Sequence, residues 1–339
     1  MDRKERVTRA LRHQTTDFVP YSVDFTHQEY ERMVLHTGDP DYDSKIGSHM
    51  AGTQYWGWPT ETVPGNERFR DAFGVEWNRS GVDKDIGMID SFVIPDAEMG
   101  NYRMPDVDEA RLRAEVEHSL ATAGDRFVGA GIGFSVFERA WSLHGMENVL
   151  MDMIAEPAFL DELLDSILEH NLKVLDVLCS YPLDYIYFGD DWGQQKGTIM
   201  GPENWRRFIK PRMKQLYERA KRDGFFLAQH SCGDVHELFP DLIEIGLDCY
   251  QTFQPEIYDI EWVKREFGAD LSFWGGISTQ RLLPYATPDG VKRETARILR
   301  VMGKGGGYIA APTHSVPGDV PPENILAMVD VFQNQSRYL

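Results

Sequence analysis

Apolar positions recur along this chain in two rhythms. Helical spacing runs over residues 3–13, with Val7, Ala10 and Leu11 on one side, over 107–123, and over 157–178, where Leu160, Leu163, Leu164, Ile167 and Leu168 stay in phase. Short apolar runs bounded by turn residues fall at 19–25, 127–133, 185–189, 225–229, 248–252, 271–274 and 308–311, and read as strands. Further helices are predicted at 202–222, 235–245, 288–302 and 322–335, the first of them broken at Pro211 and closed by Gly224. Strand and helix in repeated alternation imply a parallel sheet with helices outside it, either open or closed. No Gly-x-Gly-x-x-Gly follows the first strand, which counts against a dinucleotide-binding open sheet. Seven or eight strands favour an α/β fold of the (β/α)8 TIM barrel type. Residues 38–105 break the rhythm, being rich in Gly, Trp, Asp and Pro with β-like pieces at 74–77 and 91–94. They are expected to form a loop or hairpin elaboration on one domain spanning 1–339.

Composition narrows the function. A chain that is 42% hydrophobic and 26% charged can bury a large core, so disorder is excluded. The net charge of −19 repels phosphate and argues against nucleic-acid or anionic-membrane partners. Three cysteines, Cys179, Cys232 and Cys249, are too few for a disulfide framework and fit a reducing compartment. The charged start, Asp2 to Arg6, and the lack of any run of ~18 apolar residues lead us to expect a cytoplasmic, non-membrane protein.

In parallel α/β folds, chemistry gathers at the carboxyl ends of strands. The strand at 225–229 runs into His230-Ser231-Cys232-Gly233-Asp234, and residues two apart in extended chain point the same way, so the His230 imidazole and the Cys232 sulfur can meet one ion. Nitrogen with thiolate suits zinc. The competing reading is a buried free cysteine beside a hydrogen-bonded histidine. His314, just past the strand at 308–311, is the expected third ligand, with an ordinary loop histidine as its alternative. After the strand at 185–189 come Asp190 and Asp191, of which one is expected to enter the mouth and the other to brace a loop; Asp190 and Gln194 are the candidates for substrate contact. Glu138 is a candidate metal ligand or proton acceptor, against a surface pairing with Arg139, and Trp141 and Gln254 are candidate substrate contacts. Trp56, Trp58 and Trp77 offer either a lid or packing.

The motifs His230-Ser231-Cys232-Gly233-Asp234, Asp190-Asp191-Trp192-Gly193, Gly201-Pro202-Glu203 with Phe208-Ile209-Lys210-Pro211, Trp274-Gly275-Gly276-Ile277, Pro321-Pro322-Glu323-Asn324-Ile325 and Phe73-Gly74-Val75-Glu76-Trp77 together resemble the uroporphyrinogen decarboxylase superfamily. The resemblance implies a single (β/α)8 barrel and one of two chemistries. True decarboxylases carry Arg-Gln-Ala-Gly-Arg near the first strand to hold propionates; here the stretch from Tyr21 to Gln28 has no arginine. The second branch comprises zinc-dependent methyltransferases that exchange methyl groups with a corrinoid protein, their metal held by His-x-Cys and a late cysteine. This chain is similar at His230 and Cys232 and has His314 at the late position. The resemblance therefore implies a zinc-dependent methyltransferase working with a corrinoid carried by a partner protein, on a small thiol or methoxy substrate. Its alternatives are a cofactor-free decarboxylase of a porphyrinogen or smaller acid, with Asp190 stabilising a protonated intermediate, and a non-catalytic ligand-binding barrel. A homodimer stays open.

Overall fold

A computed structural model describes residues 1–62, 67–80 and 87–339. The Asp2 side chain accepts from the Glu5 N–H at 2.7 Å and so starts the helix Arg3–Leu11. That helix turns Val7 and Leu11 toward Phe127, Tyr185, Cys249 and Ile309, plugging one end of the barrel. In chain order the strands are β1 (Met50–Tyr55), then β2 (Pro59–Thr62), β3 (Arg68–Asp71), β4 (Glu76–Asn78) and β5 (Met88–Ile89), then β6 (Phe127–Ile132), β7 (Tyr185–Gly189), β8 (Phe226–His230), β9 (Cys249–Phe253), β10 (Ser272–Ile277) and β11 (Tyr308–Pro312). Seven of them form a parallel sheet in the order β1-β6-β7-β8-β9-β10-β11, and β2 to β5 form a separate antiparallel sheet.

The eighth position of the ring belongs to residues 19–25. Tyr21 bridges Ala310 in parallel and the Ser22 N–H donates to the Ala310 carbonyl at 2.9 Å, while on the other flank the His49 N–H donates to the Tyr21 carbonyl at 2.8 Å. This segment joins β11 to the entrance of β1 through single bridges rather than a continuous ladder. Helices clad the outside; in Pro157–Leu178 the in-phase residues Leu160, Leu163 and Leu164 are fully buried.

Three expectations need correction. Residues 38–105 are not wholly an elaboration, because Met50–Tyr55 is the barrel strand β1, paired with β6 along its whole length. The elaboration proper is the antiparallel sheet, and residues 63–66 and 81–86 of the expected region lie outside the described residues. Residues 91–94 are not a strand; the Ile94 N–H donates to the Leu143 carbonyl and anchors a loop. The break near Pro211 is a π-helical turn, Trp205–Ile209, after which Lys210–Lys221 resumes with proline in its first turn, where no N–H is required of it.

Two glycines shape the barrel interior. A Cβ on Gly129 would run into the Tyr185 ring, and one on Gly131 would lie 2.9 Å from Tyr187 Cδ1. The rings of β7 thus occupy space that β6 leaves empty.

Candidate functional site

At the carboxyl ends of the strands opens a cavity of about 640 Å³, whose lining includes Glu138, Asp191, His230, Gln251, Trp274 and His314. His230 closes β8, and its Nε2 lies 3.5 Å from Cys232 Sγ. His314, exposed on the loop after β11, faces it with ring centroids 6.0 Å apart. One ligand atom from each of His230, Cys232 and His314 lies within 4.8 Å of the others.

The orientation of His230 is set by Gln251, whose side-chain oxygen takes hydrogen bonds from the His230 Nδ1 side and, at 3.1 Å, from the Tyr187 hydroxyl. An amide oxygen accepts, so Nδ1 donates to Gln251 and Nε2 is the nitrogen turned toward Cys232 and Asp191. Around them the loop 231–234 is held by side chains: Asp191 Oδ1 accepts from the Cys232 N–H at 2.7 Å, Gln254 Oε1 from the Gly233 N–H at 2.9 Å, and Ser231 Oγ from the Trp192 N–H at 2.9 Å. Gly233 has φ of 76°, and a Cβ there would overlap the Gly193 carbonyl and the Gln194 amide. The loops after β7 and β8 therefore meet backbone to backbone, possible only between two glycines. An imidazole nitrogen, a sulfur and a second imidazole nitrogen with an oriented outer partner fit a zinc ion.

The two neighbouring aspartates divide their work in the opposite sense to the expectation. Asp190 is fully buried; its oxygens accept from the N–H groups of Phe137 at 2.9 Å and Glu138 at 2.7 Å and from Trp192 Nε1 at 2.7 Å. Asp190 is thus a brace for the start of the helix Phe137–His144 and does not contact the cavity; burial raises its carboxyl to about 6 against those donors. Asp191 enters the cavity instead, 3.3 Å from His230 Nε2. Burial raises its pKa, but the His230 hydrogen bond and charge and the Cys232 N–H prevail and hold it at about 2. Glu138 lines the cavity, and burial, reinforced by the charges of Asp191 and Asp190, pushes its carboxyl well above the usual range. Arg139, once considered its surface partner, is buried and pairs with Asp71 at 3.2 Å.

Of the remaining candidates, Gln194 is exposed and lies outside the cavity lining; its backbone bridges Asp234. Trp141 packs against Phe134, 5.8 Å between centroids, and is also outside the lining. Gln254 is buried and positions the 231–234 loop through Gly233. Trp56 and Trp77 line the cavity, whereas Trp58 is buried against Tyr55. Sequence reasoning missed Gln251, Tyr187 and Asp191 in these roles. Alternation along β7 and β9 was the available signal, since Tyr185 and Tyr187 share a face and Gln251 interrupts an apolar strand.

Among known proteins, the chain is 24% identical over 258 residues to a uroporphyrinogen decarboxylase of Psychromonas ingrahamii, covering 73% of this chain and 68% of that protein. It is 24% identical over 197 residues to a methylated-thiol–coenzyme M methyltransferase of Methanosarcina mazei, covering 57% of this chain and 49% of that one. A solved methyltransferase from Methanosarcina mazei superposes over 99% of both chains with a TM-score of 0.73 at 18% identity, which establishes the TIM-barrel-like fold. No helix among the described residues is long and apolar enough to cross a membrane. The model for the family described as uroporphyrinogen decarboxylase (URO-D) matches residues 82–335, three quarters of the chain and all the loops that build the cavity after β6, and on that match the chain belongs to the uroporphyrinogen decarboxylase family.

Proposed function

We propose that this protein is a zinc-dependent methyltransferase that moves a methyl group between a corrinoid carried by a partner protein and a small thiol or methoxy substrate. The observation that carries the reading is the convergence of His230, Cys232 and His314 at the mouth of the barrel, with the His230 tautomer set by Gln251. These three residues would hold the metal. A zinc ion bound there would supply Lewis acidity, lowering the pKa of a thiol or polarising an ether oxygen, and the corrinoid would supply a cobalt centre that exchanges methyl.

This chain's own residues do the rest. Asp191 ties the His230 ring to the Cys232 backbone, so the two ligands keep their spacing when the cavity empties. Glu138, its carboxyl pushed up by burial beside two aspartates, is the group in the cavity suited to pass a proton to a departing thiolate or alkoxide. Trp56, Trp77 and Trp274 wall the cavity and exclude water from the reacting atoms. Cofactor-free decarboxylation finds less support, because Asp190, the residue it would need, has both oxygens committed to backbone and indole donors.

Metal analysis of protein purified without added zinc provides the test. Near-stoichiometric zinc, lost in Cys232→Ala, together with cobalt spectral changes when methylcobalamin and a thiol are mixed with the enzyme, is the expected result. Active, metal-free protein would overturn the proposal.

A further inference from the structure

The cavity has a second pole that the metal centre leaves unused. Asp24 lies in the bridging segment 19–25, across the ring of strands from β8, and lines the cavity. Its surface is accessible from that space, yet protein crowds it closely enough that burial alone raises its carboxyl above the ordinary range. Its side chain enters no hydrogen bond or ion pair with the described residues. The other carboxyls of the cavity are answered for: Asp191 faces His230, and burial with the charges of two aspartates pushes the Glu138 carboxyl up. Arg79, the guanidinium in the lining, stacks over the Phe69 ring at 4.3 Å.

What surrounds Asp24 is aromatic. The charge of Asp24 acts on the hydroxyls of both Tyr185 and Tyr187. Trp274 stands edge-on to both rings with centroids 6.2 Å away, and its Nε1 is taken by Ser22 Oγ at 2.9 Å, which turns the indole carbons to the cavity. Electron-rich rings beside an unmatched carboxylate attract an organic cation and repel an anion.

We propose that the cavity selects a small substrate bearing an organic cation, a protonated amine or quaternary ammonium, seated between Asp24 and the rings of Tyr187 and Trp274, with its sulfur or oxygen at the His230, Cys232 and His314 end. The placement of the sulfur or oxygen rests on the methyl-transfer reading; the cation site does not. Asp24 is then a specificity-determining residue.

Tryptophan fluorescence of the full chain, titrated with tetramethylammonium chloride at constant ionic strength and separately with tert-butanol, its neutral counterpart in shape, tests the cation site without metal or corrinoid. Saturable binding of tetramethylammonium at least tenfold tighter than of tert-butanol, reduced tenfold or more in an Asp24→Asn variant with unchanged circular dichroism, is expected. Equal binding of the two probes, or full affinity in the folded variant, overturns the inference. Should Asp24→Asn fail to fold, the selectivity of the unmodified protein decides alone. Absence of zinc and of methyl transfer with tetramethylammonium still bound would remove only the function proposed above, whereas methyl transfer to neutral thiols without tetramethylammonium binding would remove only this one.

Discussion

Replacing Gly233 by alanine tests whether the backbone contact between the loops after β7 and β8 builds the proposed metal centre. Gly233 has φ of 76° and sits against Gly193, while Gly197 has φ of 80° with nothing within 4 Å of a built Cβ. Both substitutions incur the left-handed penalty, about 1–2 kcal/mol for a residue with a Cβ. Only Gly233→Ala adds overpacking against rigid backbone, a further ~1–3 kcal/mol. The expected losses are therefore roughly 2–5 kcal/mol for Gly233→Ala and 1–2 kcal/mol for Gly197→Ala. Relief comes only by parting the loops, and that motion draws Asp191 Oδ1 away from the Cys232 N–H, 2.7 Å apart now. Urea unfolding of both variants, with zinc content measured on the folded protein, reads the two consequences together. Equal stability losses to within about 0.5 kcal/mol, with zinc content unaltered in Gly233→Ala, would refute the reasoning.

Two buried histidines give a pH dependence. Burial lowers His49 and His170 to about 4 each, helped at His49 by the charge of Arg6, whose Nη1 lies 2.9 Å from its Nε2. A histidine depressed on folding binds protons more readily when unfolded, so stability is full above the unfolded pKa of about 6.5 and falls as pH drops toward 4, by roughly 3 kcal/mol per group. Urea titrations at pH 7 and pH 4.5 will show the fall, and His170→Gln will flatten part of it. Arg139→Met is expected to cost about 3–5 kcal/mol by leaving Asp71 as an unmatched buried charge, because Arg139 also donates to the Trp56 carbonyl at 2.7 Å and stacks over Phe73 at 3.7 Å. Thermal unfolding of this variant beside Arg139→Met/Asp71→Asn, which removes the charge as well, will show partial recovery in the double variant.

The parallel strands β6 to β11 were legible because both of their faces are buried, which leaves continuous apolar runs in the sequence. Strand β1 was not, since it reads Met-Ala-Gly-Thr-Gln-Tyr and turns small and polar residues into the cavity. Its pairing with β6 supplies what its side chains do not advertise. The His-x-Cys pair stood out because strand alternation carries through from β8 into the loop. Alternation also says that Asp190 and Asp191 diverge, but not which one enters the cavity, because the strand ends at Gly189. Two of the three donors that claim Asp190, the N–H groups of Phe137 and Glu138, lie more than fifty positions away, and only folding brings them there. Asp71 and Arg139 escaped notice for the same reason: each looks like an ordinary surface charge until the antiparallel sheet closes over the helix Phe137–His144.

The glycines of β6 beneath the tyrosines of β7 carry a consequence for changing what the enzyme accepts. The barrel floor holds one volume shared between two strands: a methyl group gained at position 129 must be yielded by the ring at 185, whereas one at 131 also meets the Tyr187 backbone carbonyl oxygen at 2.8 Å, which no exchange at 187 removes. Remodelling the floor by a paired exchange is thus open at 129 and 185 and closed at 131. Because Tyr187 also donates to the Gln251 oxygen that orients His230, a change at 187 links the depth of the cavity to the aim of a proposed metal ligand, whereas the pair 129 and 185 can be altered without that link.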